Sequence, residues 1–182
     1  SRFTILSFSH TSFLIAIEPY LEEYAEVPGL LILLDGTFFT QDTIYAEGLA
    51  SLKSELNLRL VANNKPLNNY RLAVVFTKSE QPQIWVHRRN IKRFMGLKFP
   101  RTYQVLKEWS VEWNSPINYF FCSAFGMKGD PPTPNVKVTS RENGITLGII
   151  ARKEVWRPFG LVAPIYWLYT GKDLPELREI EE

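Results

Sequence analysis

Three short polar motifs, each placed directly after an apolar run, carry the side chains best suited to chemistry. They are Asp35-Gly36-Thr37, Thr77-Lys78-Ser79-Glu80 and Ser123-Ala124. Together they supply two carboxylates that accept hydrogen bonds, one ammonium that donates them, and hydroxyls that do both. This chemistry suits the recognition of a ligand if the fold brings the three motifs to one place.

The apolar runs before these motifs predict strands of a parallel sheet. Leu30–Leu34 has no polar alternation, which is typical of a strand covered on both faces, and Arg71–Phe76 and Ile117–Phe121 have the same character. An amphipathic helical pattern from Ile44 to Leu60 joins the first two runs into a βαβ unit, for which a right-handed crossover is expected. Ligands of such sheets bind beyond the carboxyl ends of the strands, so the motifs are predicted to share one edge.

The rest of the chain predicts a single three-layer α/β/α domain with a mostly parallel central sheet. Residues 1–182 form this domain, or the C-terminal two-thirds of one, with an insertion at about 129–150 that begins proline-rich and continues as a hairpin or ordered loop around Asn143-Gly144. A first strand is predicted at Phe3–Phe8 and a loop at 63–69. Three further helices are predicted at 12–24, 103–113 and 158–169.

Composition excludes several classes of function. With 21 basic and 19 acidic residues, the charge of +2 does not make nucleic acid or an anionic membrane the default partner. The single cysteine, Cys122, excludes an intramolecular disulfide and a cysteine-rich zinc site, and it predicts a reducing, cytoplasmic location. No apolar run reaches the roughly 20 residues that span a bilayer, and no signal-peptide pattern opens the chain, so no membrane partner is predicted.

The order of the strand-end motifs resembles the second half of a P-loop GTPase domain of the translation-factor and Ras-like class. In that family one strand ends in Asn/Thr-Lys-x-Asp and the next in Ser-Ala. Here the corresponding runs end, in the same order, in Thr77-Lys78-Ser79-Glu80 and Ser123-Ala124. The stretch Trp156–Leu168 is similar to the closing helix of bacterial double-GTPase proteins. The resemblance covers roughly residues 30–168.

The resemblance implies GTP or GDP as the ligand, accompanied by Mg²⁺. The lysine stem would pack along the base, the acidic side chain would accept hydrogen bonds from guanine, and the backbone after the Ser-Ala pair would contact the guanine carbonyl. The implied nucleotide-binding residues are Thr77, Lys78, Glu80, Ser123, Ala124 and Asp35. Asp35 has a second interpretation, as the cap of the following helix.

Departures from the family pattern indicate a degenerate site. Glu80 replaces the expected aspartate, and nothing matches Gly-x-x-x-x-Gly-Lys-Ser/Thr or Asp-x-x-Gly. Two interpretations of the start of the chain stay open. In the first, His10-Thr11 is the remnant of the Lys-Thr of the phosphate-binding loop. In the second, Phe3–Phe8 is the family strand that precedes the aspartate motif. We therefore predict weak or degenerate guanine-nucleotide binding by a regulatory or assembly module with no catalytic residues. The alternative is a pseudo-GTPase subunit that binds proteins and no nucleotide.

Leu33-Leu34-Asp35-Gly36-Thr37 also resembles the Asp-x-Asp-Gly-Thr signature of haloacid-dehalogenase-type phosphatases, with Thr77 as their second-motif hydroxyl. In this alternative Leu33 takes the place of the nucleophilic aspartate. Leucine cannot form an aspartyl-phosphate, so such a relative would be inactive.

One segment has a strong local charge bias. Residues 85–98 carry basic side chains and no acidic one, which indicates a solvated face or a site for an acidic or phosphate-rich partner. The residues of that site would be Trp85, Arg88, Arg89, Lys92 and Arg93, with Phe94 as a further aromatic. A protein partner or a larger assembly is expected.

Overall fold

The computed structural model describes residues 4–7, 29–62, 70–140 and 146–178. Four strands form one sheet: β1 (Thr4–Ser7), β2 (Gly29–Asp35), β3 (Arg71–Thr77) and β4 (Ile117–Phe121). They lie in chain order, and every neighbouring pair is parallel. The predicted α/β class and the predicted strands are therefore confirmed.

The helices are α1 (Asp42–Ala62), α2 (Pro82–Trp85), α3 (Ile91–Lys98), α4 (Pro100–Glu112) and α5 (Ala163–Thr170). Two short antiparallel strand pairs lie outside this sheet: β5 (Met127–Lys128) with β6 (Thr133–Pro134), and β7 (Val136–Ser140) with β8 (Thr146–Ile150). The second pair confirms the predicted hairpin. Its turn, the helix predicted at 12–24, the motif His10-Thr11 and the loop predicted at 63–69 lie outside the described residues.

The continuous apolar runs bury both faces of the sheet, because successive side chains of a strand point to opposite sides. Leu30, Ile32 and Leu34 join a large cluster with apolar residues of α1 to α4. Leu31 and its neighbours in β3 and β4 join a smaller cluster with Ala163 and Leu168 of α5. Strands covered in this way need apolar residues at every position, which explains the absence of alternation.

Polar side chains cap helices on the face of the sheet that carries the larger hydrophobic cluster. The carboxylate of Asp42, in the first turn of α1, accepts hydrogen bonds from the backbone N–H groups of Arg101 at 2.8 Å and Thr102 at 2.9 Å. These N–H groups open α4 and have no partner within that helix. The side chain of Asn90 likewise accepts from the N–H of Arg93 at the start of α3.

The last helix begins later than the sequence pattern predicts. The prediction at 158–169 treats Pro158 as the first-turn proline, whereas Pro164 has that position and α5 spans Ala163–Thr170. Residues 157 and 159 instead bridge to the loop after β4. Within the described ranges, no helix is both long enough and apolar enough to cross a bilayer.

Candidate functional site

A cavity of about 430 Å³ lies at the carboxyl ends of the strands, on the side of the sheet that α5 covers. Its polar part comes from the loops after β3 and β4, and its apolar part from the sheet face, the loop after β4 and the start of α5. The lining residues are Thr77, Lys78, Glu80 and Ala124, together with Leu31, Leu33, Val75, Cys122, Phe125, Gly160, Leu161 and Pro164.

The loop after β3 turns sharply at Lys78, which has a positive φ of 58°. The N–H of Ser79 donates to the carbonyl of Cys122 at 3.1 Å, and the Ser79 hydroxyl donates to the carbonyl of Phe76 at 2.7 Å. These bonds attach the loop to β3 and to the residue that follows β4, next to Glu80, which lines the cavity. The sequence spacing Thr-Lys-Ser-Glu thus places a lysine at the rim and a carboxylate in the wall.

Glu80 is the most unusual group of the site. The residue is only 2% exposed. Its Oε2 atom has no hydrogen-bond partner among the residues that the structure describes. Burial raises the pKa of the neighbouring Cys122 thiol to about 12, with the Glu80 charge as a second cause. A buried carboxylate oxygen without a hydrogen-bond partner lowers the stability of a protein.

Asp35 does not line the cavity but pairs with a residue that does. Its Oδ2 lies 2.5 Å from the Lys78 ammonium, which also stands 5.4 Å from the centre of the Phe38 ring. The other oxygen, Oδ1, accepts from the Thr37 N–H at 2.9 Å and the Thr37 hydroxyl at 2.6 Å. Asp35 therefore orders the turn after β2, and the alternative prediction that it caps the next helix is wrong.

The loop after β4 is ordered by Ser123, whose hydroxyl accepts from the N–H groups of Phe125 at 3.1 Å and Gly126 at 2.8 Å. Ser123 is 1% exposed and exchanges two backbone hydrogen bonds with Phe159. The indole of Trp156 donates to the Ala124 carbonyl at 2.8 Å. The Ala124 N–H makes no backbone hydrogen bond with a described residue and is at the cavity.

The segment before α5 closes the apolar side of the cavity. Gly160 has φ +66°, and a Cβ there would collide with the carbonyl oxygen of Phe121. Only glycine adopts this conformation without strain at such close approach. The sequence pattern missed Gly160 because it assigned the residue to a helix. It missed the wall residues Leu31 and Leu33 because a uniformly apolar strand does not show which of its faces borders a cavity.

The structure brings together four of the six residues implied by the resemblance: Thr77, Lys78, Glu80 and Ala124. Ser123 lies behind them as a loop support, and Asp35 is linked through Lys78. The Thr77 hydroxyl donates to the Leu34 carbonyl at 3.2 Å, so its oxygen remains an acceptor for a ligand. Among the described residues, no group of three or more acidic, histidine or cysteine side chains fits a metal ion.

The aromatic residues of the basic segment are less available than the sequence suggested. Phe94 is fully buried, so its predicted place in a partner site is wrong. Trp85 packs against Phe159 at 5.6 Å and is covered by the Arg88 guanidinium at 4.9 Å. Arg89, Lys92 and Arg93 are exposed.

Comparisons with known proteins add no relative to this description. The chain matches no family model, no curated protein and no solved structure.

Proposed function

We propose that the cavity binds the base of a guanine nucleotide, within a three-layer GTPase-like domain. The observation that carries the proposal is the buried Glu80 carboxylate, which lines the cavity and has an oxygen without a partner among the described residues. The residues at the rim, Lys78 and Ala124, match the positions at which the family resemblance places base contacts.

The chemistry of guanine fits this arrangement. One edge of guanine carries two adjacent donors, the ring N–H and the exocyclic amino group, and a carboxylate accepts both. Adenine presents a ring acceptor at the corresponding position, which would face the negative oxygen unfavourably. The N–H of Ala124, for which no described residue supplies a backbone acceptor, is a donor suited to the guanine carbonyl. Discrimination of this kind is strong because a wrong base leaves buried polar groups unpaired.

The proposed module binds nucleotide with little or no turnover. Phosphoryl transfer depends on a phosphate-cradling loop, its lysine, and the groups that hold magnesium. None of these is identified in the sequence, and base contacts alone stabilise ground and transition states equally. We therefore propose a cytoplasmic regulatory or assembly module with a protein partner.

Titration with fluorescent GDP and fluorescent ADP tests the proposal. We expect micromolar affinity for GDP and at least about tenfold weaker binding of ADP, equivalent to about 1.4 kcal/mol. The variant Glu154→Gln is the matched control for Glu80→Gln, because it makes the same change at an exposed carboxylate paired with Arg152. It should bind GDP as the wild type does. Equal binding of both nucleotides, or none by folded protein, would overturn the proposal.

One observation favours the second candidate, a pseudo-GTPase subunit that binds no nucleotide. The Lys78 ammonium is already paired with Asp35 at 2.5 Å, and the other oxygen of Asp35 is satisfied by Thr37. If this ion pair persists, the lysine is not free for a base. The variant Asp35→Asn distinguishes the two: it should strengthen GDP binding if the pair competes with nucleotide, and leave an inactive cavity inactive otherwise.

A further inference from the structure

Positive charge is concentrated in a short part of the chain around α3. Seven basic residues and no acidic one fall between residues 81 and 107, namely Arg88, Arg89, Lys92, Arg93, Lys98, Arg101 and Lys107. Subtracting these seven from the 21 basic residues leaves 14 against 19 acidic ones elsewhere. Within the described part of the chain, none of the seven makes an ion pair.

The outer side of α3 presents part of this charge beside an apolar side chain. Lys92, Arg93, Gly96 and Leu97 are all exposed, and their spacing places them on one side of the helix. The opposite side carries Phe94 and Met95, which are fully buried. Leu97 is 59% exposed. Arg89 precedes the helix and is also exposed; with these four residues it defines the α3 face.

Gly96 lies at the centre of the α3 face without an intramolecular reason to be glycine. Its φ is not positive, and a Cβ added there would meet no atom of the described residues within 4 Å. Glycine inside a helix is less stable than alanine. At an exposed position glycine allows another molecule to approach the helix backbone closely.

We propose that the α3 face binds an acidic protein segment that carries apolar side chains. The exposed cations of the α3 face attract and orient the acidic groups, Leu97 supplies the apolar contact, and Gly96 lets the partner lie close to the helix. A single-stranded nucleic acid fits less well, because binding of single strands relies on exposed aromatic rings. Phe94 is buried, and Trp85 is covered by Arg88.

Fluorescence anisotropy with synthetic probes tests the proposal. The main probe is a labelled peptide of about 14 residues, roughly four helical turns, with leucines at helical spacing among glutamates. Polyglutamate of equal length, a thymidine oligonucleotide and phosphatidylserine vesicles are the comparison probes. We expect the leucine-containing peptide to bind most tightly, and the double variant Lys92→Glu with Arg93→Glu to weaken it by about tenfold or more. The matched control Lys172→Glu, at an exposed lysine beyond α5, should change binding by less than about twofold.

Two single variants separate docking from general electrostatic attraction. Leu97→Ala should weaken the leucine-containing peptide and leave polyglutamate unchanged. Gly96→Gln improves the helix but fills the docking position, so it should weaken the peptide by about fivefold or more while the fold becomes more stable. The proposal is overturned if the oligonucleotide or the vesicles bind as tightly as the peptide, if the peptide does not bind, or if Gly96→Gln leaves its affinity unchanged.

Discussion

Replacing Glu80 by glutamine keeps the shape of the side chain and removes its charge, so it separates the cost of the buried carboxylate from its use. The residue is 2% exposed, and Oε2 has no hydrogen-bond partner among the described residues. An unpartnered buried charge costs more than an unpartnered amide. We expect the free energy of unfolding of the ligand-free Glu80→Gln variant to rise by about 1 kcal/mol.

The same substitution should weaken nucleotide binding. A hydrogen bond to a charged group contributes about 1.5–3 kcal/mol, which corresponds to roughly 10- to 150-fold in affinity. Glutamine retains one acceptor oxygen but turns an amino group toward the donors of guanine. Glu80→Gln should therefore bind GDP at least roughly 10-fold more weakly than the wild type, although the variant is more stable.

Urea unfolding and a titration with fluorescent GDP measure the two effects on one protein preparation. Opposite signs for stability and affinity are the result expected of a group retained for binding. The reasoning is refuted if Glu80→Gln binds GDP as the wild type does, or if the variant is less stable, since the carboxylate would then be a structural element.

Three further predictions follow from the same geometry. Gly160→Ala should lower the free energy of unfolding by about 2 kcal/mol or more, because Gly160 has a positive φ and its Cβ position contacts Phe121. Gly96→Ala should raise the free energy of unfolding by about 0.5–1 kcal/mol, because alanine is more stable than glycine inside a helix. Urea unfolding measures both changes. Folding raises the pKa of Cys122 from 9.0 to about 12, so the contribution of this thiol to stability is full below pH 9.0 and is lost as the pH rises toward 12. The free energy of unfolding of Cys122→Ala should therefore fall less steeply with pH over this range than that of the wild type. Equal slopes for the two proteins in alkaline unfolding experiments would contradict this prediction. GTP turnover, measured by phosphate release, should stay far below the roughly 10 per second of assisted GTPases. If turnover reaches that rate and is lost in Lys78→Ala, the chain contains a phosphate site that the sequence motifs do not reveal.

The strands and their common edge were predictable because both depend on local pattern. Runs such as Leu30–Leu34 have to be buried on two sides, and parallel strands joined by helices bring their carboxyl ends to one edge. The motifs around Lys78 and Ser123 therefore meet, as the sequence indicated.

The remaining features depend on contacts between distant parts of the chain. Pro158 has the type and spacing of a helix-opening residue, yet the bridge between Phe159 and Ser123 keeps this segment extended and delays α5. The pairing of Asp35 with Lys78 joins the end of β2 to the loop after β3, and no local rule selects it over a helix cap. Charge counting could not show that Phe94, within the basic segment, is fully buried.

Isothermal titration with GDP and inosine diphosphate tests the central claim most directly, because the two ligands differ only in the 2-amino group of the base. If the Glu80 carboxylate accepts from that group, GDP should bind at least about tenfold more tightly, the equivalent of one charged hydrogen bond. Equal affinities for the two nucleotides would contradict the account, since the unpartnered carboxylate oxygen would then have no part in recognising guanine.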